Sequence, residues 1–354
     1  MSQNRHPRFT IVVPACDTAP WLPEMLRSVK NQSCPDFEAL IAVEQSKDNS
    51  LEIAEKFAAE DARFSVVSLP RSGSAAASRN YGIRHAAGDY ILFADGDDWL
   101  ELDALEQLRQ ALERHGDPDL LLFAGREYYE TDKGLEFARE IWNFFFRQTG
   151  LVMTGPEIVV NIGRIANHFT PLQLYSAAYL RKHELFQSEG ILHEDSEWVP
   201  RSWYYARRGV ALDTILYNYR RRRNSVTTAC SVKLLHDVAR VTRMRIEFFF
   251  SRELPEGVKQ VWSNQYLSLL FWYFFHPAYS RRFSREVRLR GLEFVLGTPG
   301  SADSFRRLAA WATFPKRAAI PLILSAVRHG VWFPAECYFR FVYYPLVRYR
   351  EWRH

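Results

Sequence analysis

Gly88-Asp89-Tyr90-Ile91-Leu92-Phe93-Ala94-Asp95-Gly96-Asp97-Asp98-Trp99 reads as an apolar strand that delivers three carboxylates within four residues to its C-terminal end. Carboxylates this close repel one another, and a hard divalent cation with oxygen ligands keeps them ionised together. Mg²⁺ or Mn²⁺ held by one or two carboxylates completes its shell with water and phosphate oxygens, so the implied ligand is a nucleoside diphosphate. A structural reading stands beside it: an acidic turn after a buried strand, with Asp98 capping a helix that begins near Trp99.

Upstream, residues 9–14 form a short β-branched run ending in Pro14, and Leu22, Met25, Leu26 and Val29 recur at helical spacing. A second apolar run, 39–43, enters the polar loop 44–50, after which Leu51, Ile53, Ala54, Phe57 and Ala58 again have helical spacing. A third run, 64–69, leads into the small-residue segment 71–82 and then the strand before the acidic tetrad. Strand and helix alternate, which predicts a parallel sheet flanked by helices. Ligands of such sheets bind beyond the carboxyl ends of the strands, so the polar loops and the tetrad are expected to share one crevice.

In this order the features resemble the inverting glycosyltransferases of family 2, whose nucleotide-sugar-binding fold is GT-A. The resemblance rests on the opening strand with its proline, the acidic loop ending in Asp48 and Ser50, Arg79-Asn80 within 73–82, and Ala87-Gly88-Asp89-Tyr90 before Asp95-Gly96-Asp97-Asp98. Further on, His193-Glu194-Asp195-Ser196-Glu197-Trp198 is similar to the segment that supplies the family's catalytic base. Residues 217–228, with Tyr219, Arg220 and Ser225, resemble the closing segment of many bacterial surface-polysaccharide members. The likeness covers about residues 8–228. It implies a GT-A, Rossmann-like, mostly parallel sheet flanked by helices.

Carried onto this chain, the resemblance assigns Asp97 to the metal, Asp95 to the donor ribose or the metal shell, and Asp98 to a supporting or capping place, with Asp95 and Asp98 exchangeable. Pro14, Asp17, Glu44, Gln45, Arg71 and Arg79 fall at donor-binding positions. A guanidinium offers phosphate a planar fork of donors, though either arginine can equally serve a structural ion pair. Two departures bear on the base. Glu44-Gln45 stands where many members carry two aspartates, one of which accepts from the uracil N–H, and Ala15-Cys16-Asp17 replaces a frequent tyrosine-asparagine pair. A UDP-sugar is the expected donor, with another base an alternative, and Asp17 either replaces the asparagine or caps a helix.

The chemistry needs a cation for the departing diphosphate, a base for the acceptor hydroxyl and a wall for the sugar. Transfer by single displacement inverts the sugar and needs one base, expected to be Asp195, with Glu194 as the alternative. Glu197 reads as a helix-face residue, and His193 as either exposed or in contact with the diphosphate or the metal. A non-catalytic sugar-nucleotide-binding scaffold is the rival reading.

At 354 residues with 47 % hydrophobic content, the chain can bury a large core in about two domains. Residues 1–230 carry a net charge of −6 and residues 231–354 a net +11, which together give the overall +5. The division expected is a catalytic GT-A domain over 1–230 and a basic, aromatic-rich helical extension over 231–354. Trp262, Tyr266, Leu269, Leu270 and Tyr273 fit a packed helical bundle, while Arg340, Arg348 and Arg350 among aromatics fit contact with an anionic membrane surface, where a glycan or lipid-linked acceptor is found. Buried aromatics at helical spacing are poor platforms for stacking bases, which argues against a nucleic-acid partner. No apolar run reaches the roughly 18 residues of a membrane span, and the N-terminus lacks an apolar signal core. Cys16, Cys34, Cys230 and Cys337 lack metal-ligand spacing and fit a reduced cytosol. The expected location is cytoplasmic, peripheral on the inner face of the cell membrane.

Overall fold

The computed structural model describes residues 6–142, 148–162, 168–222, 231–276, 281–296, 301–329 and 333–346. The chain folds as two compact units, Met1–Ser225 and Val226–His354. Ser225, Cys230, residues 297–300, Arg348 and Arg350 lie outside the described residues.

The first unit opens with β1 (Phe9–Ala15), α1 (Leu22–Lys30), β2 (Phe37–Glu44), α2 (Ser50–Glu60), β3 (Phe64–Leu69), α3 (Ala76–His85) and β4 (Tyr90–Phe93). All seven β1 residues are buried, as expected for a parallel strand covered on both faces. β1 pairs in parallel with β2 on one side and β4 on the other, and β2 pairs in parallel with β3. Helix α1 starts with proline in its first turn and buries Leu22, Met25, Leu26 and Val29 against the sheet. Burying such a side chain contributes about 1.5–3 kcal/mol. Gly88 is required by close approach: a Cβ there would lie 2.6 Å from the Phe9 carbonyl carbon and from the Thr10 nitrogen.

After β4 come β5 (Trp99–Leu100), α4 (Ala104–His115), β6 (Leu120–Thr131), β7 (Gly134–Ile141), β8 (Val152–Met153), α5 (Gly155–Ile162), β9 (Gln173–Ser176), α6 (Ala177–Lys182), α7 (Glu194–Tyr204) and β10 (Gly209–Arg221). The sheet order is β3-β2-β1-β4-β9-β6-β10-β5, with β7 paired to β6 and β8 to β10. Its β3-β2-β1-β4 half is wholly parallel, β9 enters antiparallel, and β6 and β10 run parallel to each other. This is the GT-A type of α/β sheet, flanked by helices. The helix expected to start near Trp99 is instead the short strand β5, paired antiparallel with β10, and α4 begins at Ala104. Asp98 accepts hydrogen bonds from β10 and caps no helix, because those bonds draw the next two residues into the sheet.

The second unit is helical. It comprises α8 (Val232–Phe250), α9 (Glu256–Phe275), the helices Arg285–Leu296, Ser301–Trp311, Lys316–His329 and Phe333–Tyr338, and a π-helical turn at Phe339–Tyr343. Trp262, Tyr266, Leu270, Phe271 and Phe274 are buried on α9, and Phe271 meets Phe339 edge-on at 4.9 Å. The aromatic spacing read from the sequence thus builds a core. Among the described residues no helix is long and apolar enough to cross a membrane.

Candidate active site

The carboxyl ends of β1, β2 and β3 bring the upstream polar residues together. Asp17 follows β1 in a left-handed conformation, φ 53°, and its carboxylate accepts from the Lys47 N–H at 2.6 Å and from Arg71 at 2.7 Å. Those bonds hold its pKa below the ordinary carboxylate range. Arg71 also donates to the Gln45 carbonyl at 3.3 Å. Glu44 is buried at the end of β2 and accepts from both the N–H and the hydroxyl of Ser72, at 2.8 and 2.7 Å. Gln45 is exposed beside it. Asp17, Glu44, Gln45 and Arg71 therefore form one connected polar edge, and the Cys16 thiol within it is pushed up by burial.

The acidic turn packs directly against the end of β1, where the Gly96 N–H donates to the Pro14 carbonyl at 3.1 Å. A Cβ on Gly96 would lie 3.0 Å from that same oxygen. Tyr217 on β10 organises the turn from below: its hydroxyl donates to Asp98 at 2.6 Å and accepts from the Asp95 N–H at 3.0 Å. Asp98 also accepts from the Arg220 N–H at 2.7 Å, and burial, followed by the charges of Asp97 and Asp95, pushes its pKa well above the ordinary range. The Arg220 guanidinium donates to the Asp97 carbonyl at 2.9 Å, pairs with Glu24 and lies over the Trp99 ring at 5.1 Å.

Asp97 and Asp95 stay nearer the surface. Asp97 forms an ion pair with Arg222 at 2.7 Å, and Arg222 lies over the Trp21 ring at 4.5 Å. Asp95 pairs at 2.7 Å with Arg79, whose side chain is only 6 % exposed. The other arm of that guanidinium reaches Glu194 at 3.1 Å, so a single buried cation ties the acidic turn to the first turn of α7. Asn80, next on α3, closes the same junction by donating to the Gln187 carbonyl and accepting from the Gln187 N–H, both at 2.8 Å.

Glu194 and Asp195 begin α7, following His193, which takes φ 64°. Burial is the main cause pushing Glu194 up to about 7 and Asp195 up to about 6, and Arg79 acts against it in both. The two differ in occupancy. Glu194 is engaged by Arg79, whereas Asp195 accepts from its neighbour Ser196, whose N–H lies at 2.7 Å. Glu197 lies on the helix face and pairs with Arg201 at 2.7 Å.

Asp95 and Asp97 have the donor chemistry of a Mg²⁺ or Mn²⁺ site, two hard carboxylates that leave room for phosphate oxygens. Burial and the neighbouring Asp95 charge raise the pKa of Asp97, while Arg222, a backbone hydrogen bond and Arg220 act against them. Among the described residues no three His, Cys, Asp or Glu side chains are grouped to hold a metal ion.

Residues 10–167 match the model of glycosyl transferase family 2. Over those residues the chain is similar to that family. Among similar proteins, the uncharacterized glycosyltransferase EpsJ of Bacillus subtilis is 30 % identical over 230 residues, which cover 62 % of this chain and 63 % of EpsJ. The poly(ribitol-phosphate) beta-N-acetylglucosaminyltransferase TarS of Staphylococcus aureus is 24 % identical over 80 % of this chain and 47 % of its own length. The chain thus spans under two thirds of either relative. A crystal structure of S. aureus TarS in complex with UDP-GlcNAc superposes with a TM-score of 0.74 at 19 % identity, covering 94 % of this chain and 91 % of that one. A mannosyltransferase of Pyrobaculum calidifontis, solved with GDP-Man and Mn²⁺, reaches a TM-score of 0.50 at 15 % identity, covering 95 % and 85 %. These structures share the fold.

Tyr217, Ser72, Arg222 and Trp21 were not singled out from the sequence. Each acts on a residue far away in the chain, and the unbroken arginine run 220–223 gives no sign of which guanidinium faces the turn.

Proposed function

We propose that this chain transfers a sugar from a nucleoside diphosphate, UDP by first expectation, to a hydroxyl of a glycan or lipid-linked acceptor, with inversion. The observation that carries the reading is Arg79, which joins Asp95 of the acidic turn to Glu194 beside Asp195 and so sets the diphosphate side and the base side at one distance. Asp95 and Asp97 would hold Mg²⁺ or Mn²⁺, which when bound neutralises charge building on the departing diphosphate. Pro14, Asp17, Glu44, Gln45 and Arg71 form the donor edge. Glu44, fixed by Ser72, presents a carboxylate suited to accepting a base N–H, and the exposed Arg71 suits a phosphate or ribose. Arg79 is buried and acts on the donor through Asp95. Asp195, with acceptor capacity left over, takes the proton of the incoming hydroxyl.

The UDP-GlcNAc complex of TarS and the GDP-Man and Mn²⁺ complex of the mannosyltransferase support the class of donor and cation. The acceptor is met at the inner face of the cell membrane, where the basic second unit rests on anionic lipid. Arg340, over the 66 % exposed Phe341, belongs to that surface.

Asp195→Asn is expected to keep nucleotide and metal affinity while transfer falls about 10²–10⁴-fold, with Glu194→Gln milder. Asp97→Asn is expected to lose metal-dependent nucleotide binding with the fold retained. Near-normal transfer in both α7 variants moves the base elsewhere, and nucleotide binding without any turnover in the parent leaves the scaffold reading.

A further inference from the structure

The helices Ser301–Trp311 and Lys316–His329 are joined by residues 312–315 only, so they run back along one another. Between them lies an open groove of about 450 Å³. Ile320, Pro321 and Leu324 line it together with Arg306, Arg328 and His329. On the second helix these positions recur one, three or four residues apart, which is one face. The groove therefore sets apolar side chains beside basic ones.

Arg306, Arg328 and His329 are exposed, and none has a carboxylate partner among the described residues. Several other arginines of the same unit are paired, Arg285 and Arg288 with Glu336, Arg290 with Glu286 and Arg243 with Glu247, while Arg307 and Arg340 lie over aromatic rings. Like charges converging in a groove without counter-charge favour an anion, and a guanidinium pair favours phosphate. Phosphate alone would leave the Ile320, Pro321 and Leu324 wall in water. A nucleic acid would find only the His329 ring to stack on in this groove.

We propose that this groove binds the phosphate headgroup of an anionic phospholipid, with the headgroup at Arg306, Arg328 and His329 and the glycerol end of the hydrocarbon along Ile320, Pro321 and Leu324. The proposal deepens the membrane-surface reading above, giving it a place and a ligand, and is separable from it by experiment. The volume lies within the range of about 300–1,000 Å³ typical of small-molecule sites.

The test is sedimentation of the full chain with phosphatidylglycerol–phosphatidylcholine vesicles against phosphatidylcholine alone. Arg306→Gln with Arg328→Gln is expected to lower affinity for the anionic vesicles about tenfold or more. Arg281→Gln with Arg290→Gln removes the same charge outside the groove and is expected to cost much less. Ser325→Trp fills the groove without changing charge and is expected to weaken binding as the first pair does, with inorganic phosphate competing poorly. Retained nucleotide-induced thermal stabilisation reports that each variant folds. Equal losses from both arginine pairs with a harmless Ser325→Trp would overturn the groove while leaving diffuse membrane attraction in place. Full competition by inorganic phosphate would replace the lipid with a free anion, and no binding to anionic vesicles by the parent chain would sink both readings.

Discussion

Arg79 is where the charges of the site balance. A buried guanidinium between two carboxylates stays only while both are present, and removing one member of such a group strands the rest. Arg79→Leu is expected to lose about 3–5 kcal/mol of stability by urea denaturation. The loss depends on pH with a definite sign. Folded Glu194 and Asp195 already sit above their ordinary carboxyl values, and without Arg79 they rise further. An acid whose folded pKa exceeds its unfolded one binds more protons when folded, so stability falls as pH rises between the two values. The variant's deficit should therefore be larger near pH ~8 than near pH ~5, and a deficit independent of pH would count against this coupling. The same shift shapes catalysis. If Asp195 is the base, with its carboxyl at about 6, transfer should climb with pH to about 6 and then level, and Asp195→Asn should abolish that limb.

At the scale of elements, β10 is the strand on which the acidic turn rests. Its Tyr217 hydroxyl serves Asp98 and the Asp95 N–H together, while its Arg220 N–H serves Asp98 as well. Tyr217→Phe keeps the ring but leaves a buried carboxyl and a backbone N–H each short of a partner. It is expected to cost about 1–3 kcal/mol, more than a surface hydroxyl would. Because the turn carries Asp95 and Asp97, metal-dependent nucleotide affinity should drop with it. Intact affinity at reduced stability would show that Tyr217 supports the fold alone. Helix α7 is held by a different device: Gly155 at the start of α5 lies so near the last turn of α7 that a Cβ would fall 2.1 Å from the Tyr204 carbonyl oxygen.

For the molecule as a whole, the ligand is the readout. A thermal screen of nucleoside diphosphates with and without Mn²⁺ should give its largest metal-dependent stabilisation with UDP, since a ligand that binds only the folded state raises the melting temperature by mass action. A preference for GDP, CDP or TDP would mean that Glu44, locked by Ser72, reads a different base edge. The β-α-β order, the tetrad at a strand end and the helical packing of the aromatic tail were all legible in the chain, because local periodicity and short-range spacing carry them. The candidate donor residues and the acidic pair on α7 came from the resemblance, and the fold brings Asp17, Gln45 and Arg71 together at the strand ends. The fate of Trp99 was not legible. A helix start and a short strand look alike after Asp98 until Tyr217 and Arg220 are known to lie across from it, more than a hundred residues away in the chain. Nor could the chain say that Arg79 reaches both Asp95 and Glu194, or that Glu194 is engaged while Asp195 keeps a lone pair to offer. Local sequence determined which groups are present and on which kind of element. Pairing among them is a matter of distances between segments remote in sequence, and only tertiary packing sets those.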